Sequence, residues 1–385
     1  MVSIDKYEIG PGRRTFIIAE AGVNHDGDVN KALKLIDAAL AAGADAVKFQ
    51  VFRADELVTG DARTANYQLK QSGDTSQRNM LARLELHDAA LRQLVDHARA
   101  KGIIFLATPF SVGDVARLMA LGVPAIKIAS TDLNNFPLLS AAIRTLGSAV
   151  PSCGVIREAP EALSATQLNA AHKGRRYIST ETITRPLIVS TGAAQEKEIH
   201  EAISWFRDQG MLDRLILMHC VSAYPTPIEA ANLRAIRTMQ QMFDVPVGFS
   251  DHTLSIHAGA WAVCAGAVVL EKHLTLIRGA TGPDHAMSLD PAMFTEYVRA
   301  VRICEAALGT GGLGMQDIEA EVRAVARRSV VAVRAISRGT VVTADMLTVK
   351  RPGGGIRPEC MESLLGRKAL KDIESDTMLA WDMLQ

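Results

Sequence analysis

The sequence predicts an α/β fold: a (β/α)₈ TIM barrel followed by a small C-terminal β-rich domain. Three observations support this prediction. Short apolar runs typical of β-strands alternate with longer segments of helical period up to about residue 308. About 300 residues hold eight such strand–helix units, the number that closes a barrel. Beyond residue 308 the pattern changes to short strand-like runs separated by turn residues.

The eight predicted strands are short and apolar, and they lie at 15–20, 45–50, 103–108, 125–128, 187–190, 215–219, 245–250 and 268–273. Helical periodicity between them predicts helices that include 30–42, 88–101, 112–121, 137–145 and 256–265. Strand and helix in alternation indicate parallel βαβ units. A doubly wound sheet is the competing arrangement, but it rarely contains this many units in strict alternation.

One stretch, 148–185, interrupts the rhythm with weak periodicity and many turn formers. It lies between the helix at 137–145 and the fifth strand, a connection that faces the N-terminal end of a barrel, away from the catalytic face. We therefore expect a surface insertion that affects stability more than chemistry. If it displaced the fifth strand, it would displace Ser190 and impair activity.

The C-terminal part has its own organisation. A Gly-rich piece at 309–314 leads into a charged helical segment at 317–328, and strand-like runs follow at 329–335, 340–343, 347–350 and 368–371. We expect a barrel domain at 1–310, a linker at 311–328 and a compact β-rich module at 329–385. The segment GTGGLG matches GxGxxG, but it follows a helix instead of joining a strand to a helix, so it does not indicate a dinucleotide site.

Composition excludes several classes of protein. Acidic and basic residues balance at 42 each, so no overall field attracts nucleic acid or an anionic membrane. The five cysteines contain no CxxC pair, which argues against a disulfide framework or a zinc site. Cys220 and Cys264 lie in apolar runs and are expected to be small buried hydrophobes. Without a signal-peptide pattern or an 18-residue apolar span, we expect a cytoplasmic protein.

Polar residues gather where the predicted strands end. The active site of a TIM barrel is built at that end of the strands and in the loops that follow. The residues found there, in chain order, are Glu20, Asn24, His25, Lys48, Gln50, Thr108, Lys127, Ser130, Asp132, Ser190, His219, Ser222, Tyr224, Ser250, Asp251, His252, Glu271 and His273. Each of them alone has a structural explanation. Their joint position at one end of eight strands predicts an active site.

These residue types narrow the chemistry. Lys48 and Lys127, with hydroxyl groups nearby, suit a small anion that carries phosphate and carboxylate. His252 and His273 offer two imidazoles to one divalent metal, which would keep open positions for water and substrate. A carboxylate such as Glu20 could orient or deprotonate an attacking group. A class I aldolase remains open, in which one of the lysines forms a Schiff base.

The sequence resembles the sialic acid synthase family over almost its whole length apart from the insertion. The matching segments are IIAEAGVNHDGD, AGADAVKFQ, FLATPFS, KIASTDLNNFPLL, VSTGA, HCVSAYPTP, GFSDHT, LEKHLTL and GPDHAMSLDP. The tail, with RRSVVAVRAISRGTVVTADMLTVKRPGGG, is similar to the SAF (antifreeze-like, β-clip) domain of that family.

The resemblance implies a role for each matched residue. His252 and His273 would hold Mn²⁺ or Mg²⁺, and Glu20 and Asp284 would lie beside the reacting carbons. Arg351 would reach the barrel from the partner subunit of a domain-swapped homodimer. Phosphoenolpyruvate would be held by Lys48, Thr108, Lys127, Ser190 and Ser250, and the sugar by Gln50 and Tyr224. Further substrate-binding candidates are Ser130, Asp132 and Ser222.

The implied reaction joins phosphoenolpyruvate to N-acetylmannosamine or its 6-phosphate and releases phosphate. Asp132 stands where bacterial synthases commonly carry Glu, and Ser222 stands where Asn is frequent. Both variants are similar to the animal-type enzymes, which prefer a phosphorylated sugar. Synthases of legionaminic, pseudaminic or spore-coat sugars differ at the same loops and remain alternatives.

Two hypotheses come from other classes of protein. A catalytically silent sugar-binding relic would have no need for two lysines and two histidines together. An ice-binding surface on the C-terminal module would need a flat, repetitive face, which its charged residues do not provide.

Overall fold

The structure, a computed structural model, describes residues 1–146 and 185–385. They divide into two compact units, Met1–Thr310 and Gly311–Gln385. The stretch that interrupts the predicted rhythm lies outside the described residues, apart from Arg185. None of the helices in the described ranges combines the length and the apolar character that a bilayer crossing requires.

The first unit opens with a hairpin of two short antiparallel strands, β1 (Val2–Ile4) and β2 (Tyr7–Ile9). Ile4 and Ile9 are buried in one apolar cluster with Phe16, Ile188 and Ile216. These three residues lie near the start of their barrel strands. The hairpin therefore closes the N-terminal end of the barrel.

Eight parallel strands follow, and the last of them pairs with the first, so they form a closed barrel. In chain order they are β3 (Phe16–Gly22), β4 (Ala46–Val51), β5 (Ile104–Pro109), β6 (Ile126–Ile128), β7 (Leu187–Ser190), β8 (Leu215–Cys220), β9 (Val247–Asp251) and β10 (Val269–His273). Each lies at a predicted strand, so the predicted TIM barrel is confirmed. Strand β7 pairs with both neighbours, and Leu187 lies opposite Ile126 and Leu215.

Helices surround the barrel. Those of the first unit are α1 (Val29–Ala41), α2 (Ala54–Leu57), α3 (Asn66–Ser72), α4 (Gln77–Ala82), α5 (Asp88–Lys101), α6 (Val112–Ala120), α7 (Phe136–Leu146), α8 (Glu196–Asp208), α9 (Arg234–Phe243), α10 (Ala258–Cys264) and α11 (Pro291–Leu308). The short helices α2, α3 and α4 were not predicted. The expectation that Cys264 is buried was wrong: α10 buries Ala258, Ala262 and Val263, and Cys264 is exposed.

Alternation along the strands sorts the side chains into two sets. Ile18 of β3 and Ala46 of β4 belong to the cluster inside the barrel, whereas Ile17 and Val47 belong to the core between strands and helices. Because successive side chains of a strand point to opposite faces, every second residue enters the barrel. The same alternation places each polar residue at the end of a strand either inside the barrel or in the layer between strands and helices.

The second unit contains helix α12 (Ala320–Ala326) and a two-stranded antiparallel sheet of β11 (Ser329–Ala332) and β12 (Leu347–Lys350). Its own apolar cluster includes Val330, Ile336, Leu364 and Leu379. The predicted strands at 340–343 and 368–371 are wrong as strands. They are joined by a single bridge between Val341 and Lys368, because this unit is built mainly from turns and isolated bridges.

We predict that Gly259→Ala destabilises the first unit by about 1–3 kcal/mol, the usual range for overpacking. A Cβ at Gly259 would lie 2.4 Å from Cζ of the fully buried Tyr297, so α10 and α11 would have to separate. Chemical denaturation measures the loss. Gly279→Ala is the matched control, since a Cβ there meets nothing within 4 Å. Equal stability of the two variants would contradict this account of the packing.

Candidate active site

The C-terminal end of the barrel interior is lined with buried polar side chains. They follow the same alternation as the apolar residues that point into the barrel beneath them. These polar residues are Glu20, Lys48, Thr108, Lys127, Ser190, Ser250, Glu271 and His273. All but Glu271 were predicted as site residues. Glu271 was recorded only as a residue at the end of a strand. Its position two residues before His273 on β10, with the same parity, is the signal that would have identified it.

Glu271 links the two lysines. Its Oε1 atom lies 3.5 Å from Lys127 Nζ, and its Oε2 atom lies 3.6 Å from Lys48 Nζ. Ser250 Oγ donates a hydrogen bond of 2.8 Å to the same carboxylate. Lys48 also donates to Thr108 Oγ1 at 3.0 Å and lies 2.6 Å from Glu20 Oε2. Four strands thus hold two cations and two carboxyl groups in one buried network.

Burial shifts the pKa values of these groups in different directions. Burial alone would raise the pKa of Glu271, but Lys127 and Lys48 outweigh it and lower that pKa to about 2. Burial also raises the pKa of Glu20, despite the adjacent lysine, and it lowers the pKa of Lys127. Burial, with Glu20 nearby, raises the pKa of Asp284 to about 7. The site therefore pairs a permanent anion, Glu271, with a carboxyl group, Asp284, that exchanges protons near neutral pH.

Gly22 leaves room where Glu20, Gln50 and Asp284 converge. A Cβ at Gly22 would lie 3.1 Å from Glu20 Oε1, 3.4 Å from Asp284 Oδ2 and 3.6 Å from Gln50 Nε2. Its φ of +52° also favours glycine. The structure thus brings three predicted site residues to one point beside the lysine pair.

The two histidines lie side by side, with ring centroids 5.6 Å apart. His252 Nδ1 donates to Val221 O at 2.8 Å, so Nε2 carries the lone pair, and this atom lies 3.5 Å from Ser250 Oγ. His273 Nδ1 is buried without a hydrogen bond and lies 3.8 Å from Asp284 Oδ2. Burial lowers the pKa of both imidazoles, so both are neutral, as metal ligands must be.

The two imidazoles fit the divalent metal predicted from the sequence, for which two protein ligands were expected. Among the described residues, no group of three or more His, Cys, Asp or Glu side chains is arranged to hold a metal ion. Any metal between the two imidazoles would therefore depend on water or substrate for its other positions. The metal stays a prediction.

A second cluster surrounds Gly192, just after β7. Ser130 Oγ accepts from Gly192 N at 3.0 Å and lies 3.1 Å from Cys220 Sγ. A Cβ at Gly192 would lie within 2.9 Å of Ser130 Oγ, Cys220 Sγ and Ser222 Oγ. Cys220 is buried as predicted, but it belongs to a polar cluster and not to the apolar core. Gly192 and Cys220 were both missed as candidate site residues.

Two further predicted substrate-binding residues, Asp132 and Tyr224, lie at the rim. Asp132 is half-buried on the turn that begins at Ser130, and its Oδ1 accepts from Asn135 Nδ2 at 2.8 Å. The Tyr224 ring lies against the His252 ring at a tilt of 45°, with ring centroids 4.4 Å apart. Arg351 follows β12 in the second unit and is exposed there.

Three residues noted at the ends of the strands are structural. Asn24 donates to Leu274 O and Ser288 Oγ, both at 2.9 Å. His219 Nε2 donates to Ala231 O at 2.9 Å. Asp251 has outward parity and forms a fully buried ion pair with Lys272 at 2.9 Å, within the helical layer. Parity separates these residues from the site, although they lie beside it in the sequence.

Comparison with known proteins agrees with this geometry. Residues 35–178 and 175–312 match the NeuB family, and residues 327–385 match the SAF domain. The chain is 34% identical to N,N'-diacetyllegionaminic acid synthase of Legionella pneumophila over 380 residues, covering 98% of this chain and 96% of the relative. It is 33% identical to N-acetylneuraminate-9-phosphate synthase of Mus musculus over 380 residues, covering 96% and 94%.

Among solved structures, N-acetylneuraminic acid synthetase from Leptospira borgpetersenii in complex with citrate is similar, with a TM-score of 0.66 and 31% identity over 83% of this chain and 94% of that chain. Together with the barrel and the buried lysine pair, these matches assign the chain to the class of sialic-acid-type synthases. The chain belongs to the NeuB family and carries a C-terminal SAF domain, so the resemblance seen in the sequence is confirmed.

We predict that His25 makes the protein less stable in acid. Burial lowers the pKa of His25 to about 4, and its Nδ1 accepts from Gly27 N at 3.0 Å. The unfolded chain therefore binds a proton first as pH falls from about 6.5 to 4, and stability is lost through that window. At about 1.4 kcal/mol per pKa unit, the loss approaches about 3 kcal/mol.

The test measures unfolding free energy at pH 7 and pH 4 in wild type and His25→Asn, which keeps an acceptor but does not titrate. The variant should lose less stability than wild type over this range. His87→Asn, at an exposed position, is the control and should follow wild type. Parallel pH profiles for wild type and His25→Asn would rule out His25 as the origin.

Proposed function

We propose that this chain condenses phosphoenolpyruvate with an N-acylated amino sugar and water, releasing phosphate and a nine-carbon sugar acid. The observation that carries the proposal is the buried lysine pair beside two neutral imidazoles at the C-terminal end of the barrel. A Schiff-base aldolase is the weaker alternative, because Lys48 and Lys127 are each within 3.6 Å of a carboxylate.

The interior is suited to a small anion. Lys48 and Lys127 supply positive charge in a region of low dielectric, where each charge acts strongly. Ser190 Oγ is buried without a hydrogen-bond partner. A buried hydroxyl with no partner costs free energy unless a ligand satisfies it. Thr108 and Ser250 extend this set of donors, which would bind the phosphate and carboxylate groups.

The neutral imidazoles of His252 and His273 would hold Mn²⁺ or Mg²⁺. When bound, such an ion supplies Lewis-acid polarisation of the sugar's carbonyl oxygen. Around it, the chain's own residues orient the reactants and exclude water. Glu271 remains ionised between the lysines and keeps both of them positioned.

Proton transfer falls to Glu20 and Asp284. When carbon 3 of phosphoenolpyruvate bonds to the sugar's carbonyl carbon, the carbonyl oxygen becomes an alkoxide that needs a proton, and carbon 2 becomes an oxocarbenium. Water then adds at carbon 2 and gives up a proton, and phosphate leaves as its bond to carbon 2 breaks. Asp284, with its pKa raised to about 7, can hold or release a proton at the working pH. Glu20 lies next to it and shares the network with Lys48.

The sugar is proposed to contact Gln50, Ser130, Asp132, Ser222 and Tyr224. Asp132 and Ser222 favour N-acetylmannosamine or its 6-phosphate, because they are similar to the animal-type enzymes. A 2,4-diacetamido sugar is the second candidate, supported by the 34% identity to the Legionella N,N'-diacetyllegionaminic acid synthase. A catalytically silent relic is disfavoured, since the whole charged network is intact.

We expect purified protein to release phosphate from phosphoenolpyruvate in the presence of Mn²⁺ and one sugar. N-acetylmannosamine, its 6-phosphate and 2,4-diacetamido sugars are offered in parallel, and a chelator should stop the release. Lys127→Met should lower the rate by about 100-fold or more, because it removes a donor aimed at the anion. Lys34→Met, on the exposed face of α1, is the matched control. Absence of release with every sugar, from folded protein, would contradict the proposal.

We further propose that Arg351 of a second copy completes the site in a domain-swapped homodimer. Arg351→Ala should then reduce turnover at least about 10-fold by removing a charge-assisted contact, with the barrel fold intact. Steady-state kinetics and circular dichroism measure both effects. Arg338→Ala, also exposed in the second unit, serves as control. Unchanged kinetics in Arg351→Ala would remove Arg351 from the site.

A further inference from the structure

Two cysteines on neighbouring helices face each other at the surface of the barrel unit. Cys264 ends α10 and Cys304 lies in α11, and their Sγ atoms are 3.2 Å apart. Cys264 is exposed, and Cys304 is half-buried. Two thiols 40 residues apart in sequence are therefore in contact and open to reagents in solution.

Close helix packing holds the pair together. Gly259 of α10 presses directly against the Tyr297 ring of α11, since a Cβ there would lie 2.4 Å from the ring. Cys304 Sγ also donates to Ala260 O of α10 at 3.3 Å. The close approach of α10 and α11 therefore brings the two sulfurs together.

The pair lies far from the catalytic end. Helices of a (β/α)₈ barrel run antiparallel to its strands, so the last turns of α10 and α11 lie at the N-terminal end. Consistent with this, Val263 and Glu305, the neighbours of the two cysteines, line a cavity of about 890 Å³ together with Arg13 and Arg14, which precede β3. This end of a TIM barrel contributes to stability and not to chemistry.

We propose that Cys264 and Cys304 form a reversible intramolecular disulfide by exchange with low-molecular-weight disulfides, and that this cross-link stabilises the barrel. Cys264 attacks one sulfur of the external disulfide and releases one thiol. Cys304 then loses its proton, attacks the Cys264 sulfur and displaces the second thiol. One external disulfide is reduced to two thiols, and two cysteine thiols are oxidised to one disulfide.

Accessibility sets the order of the two steps. Cys264 is the more exposed of the two, so an external disulfide reaches its sulfur first. Partial burial and the adjacent Cys264 sulfur raise the pKa of Cys304 to about 11, so Cys304 keeps its proton until Cys264 has reacted. Closing the bond then requires the sulfurs to approach by only about 1 Å.

The cross-link restricts the unfolded chain more than the folded one. It would close a loop of 40 residues between α10 and α11, and a loop of this length removes substantial entropy from the unfolded state. Because the helices already touch, the native geometry changes little. Oxidised protein should therefore unfold at a temperature several degrees higher than reduced protein.

The experiment incubates the full chain with oxidised glutathione, blocks remaining thiols with N-ethylmaleimide and maps the peptides by mass spectrometry. We expect one cross-linked pair of peptides containing Cys264 and Cys304, removed by dithiothreitol, and a matching rise in unfolding temperature. These readouts do not depend on the enzyme's substrate. A failure of the disulfide proposal can therefore be distinguished from a failure of the proposed synthase activity.

Cys264→Ser and Cys304→Ser should each abolish the cross-link and the thermal shift, whereas Cys360→Ser, in the second unit, should behave as wild type. Mapping of the wild-type protein needs no variant to fold. A lasting mixed disulfide on Cys264, pairing with a different cysteine, or a cross-link that leaves the unfolding temperature unchanged would overturn the proposal.

Discussion

The alternation of side chains along the strands of the closed barrel determines which polar residues enter the site. Each strand must send successive side chains alternately into the barrel and toward the helices. On β9, this rule places Ser250 in the site and Asp251 in the helical core, and on β10 it separates Glu271 from Lys272. Because the strands are fixed in register, a shift of one residue would exchange the two sets and bury the wrong charges in both places.

Burying several charges in the barrel is costly unless each is paired, since water no longer stabilises them. Here Glu271 shares its two oxygens between Lys48 and Lys127, and Glu20 occupies the remaining side of Lys48. Each lysine therefore lies within 3.6 Å of at least one carboxyl group. Such a site is prepared for an anionic ligand, because its dipoles and charges are already oriented before the ligand arrives.

The sequence was sufficient to locate the eight strands and most inward polar residues, since strand length and alternation are local properties. It placed Glu271 at the end of a strand but gave it no role, because that role comes from lying between lysines on two other strands. Gly192 and Cys220 depend on contacts among three loops, which no local pattern encodes. Cys264 was misassigned because an apolar neighbourhood in sequence does not say which helix face it occupies. The turn-built second unit lacked the periodicity on which strand prediction relies.

The N-terminal hairpin closes one end of the barrel, and the polar site lies at the opposite end. Ile4 and Ile9 belong to the apolar cluster at the N-terminal end of the barrel. A molecule that enters the interior from the C-terminal end would therefore leave by that same end. A molecule held by strand residues such as Lys127 and Ser190 lies below one held by rim residues such as Tyr224. Under the proposed function, the deeper molecule would therefore bind before the one at the rim and leave after it. The depth at which each molecule is held in the barrel would then determine the order in which it binds and leaves.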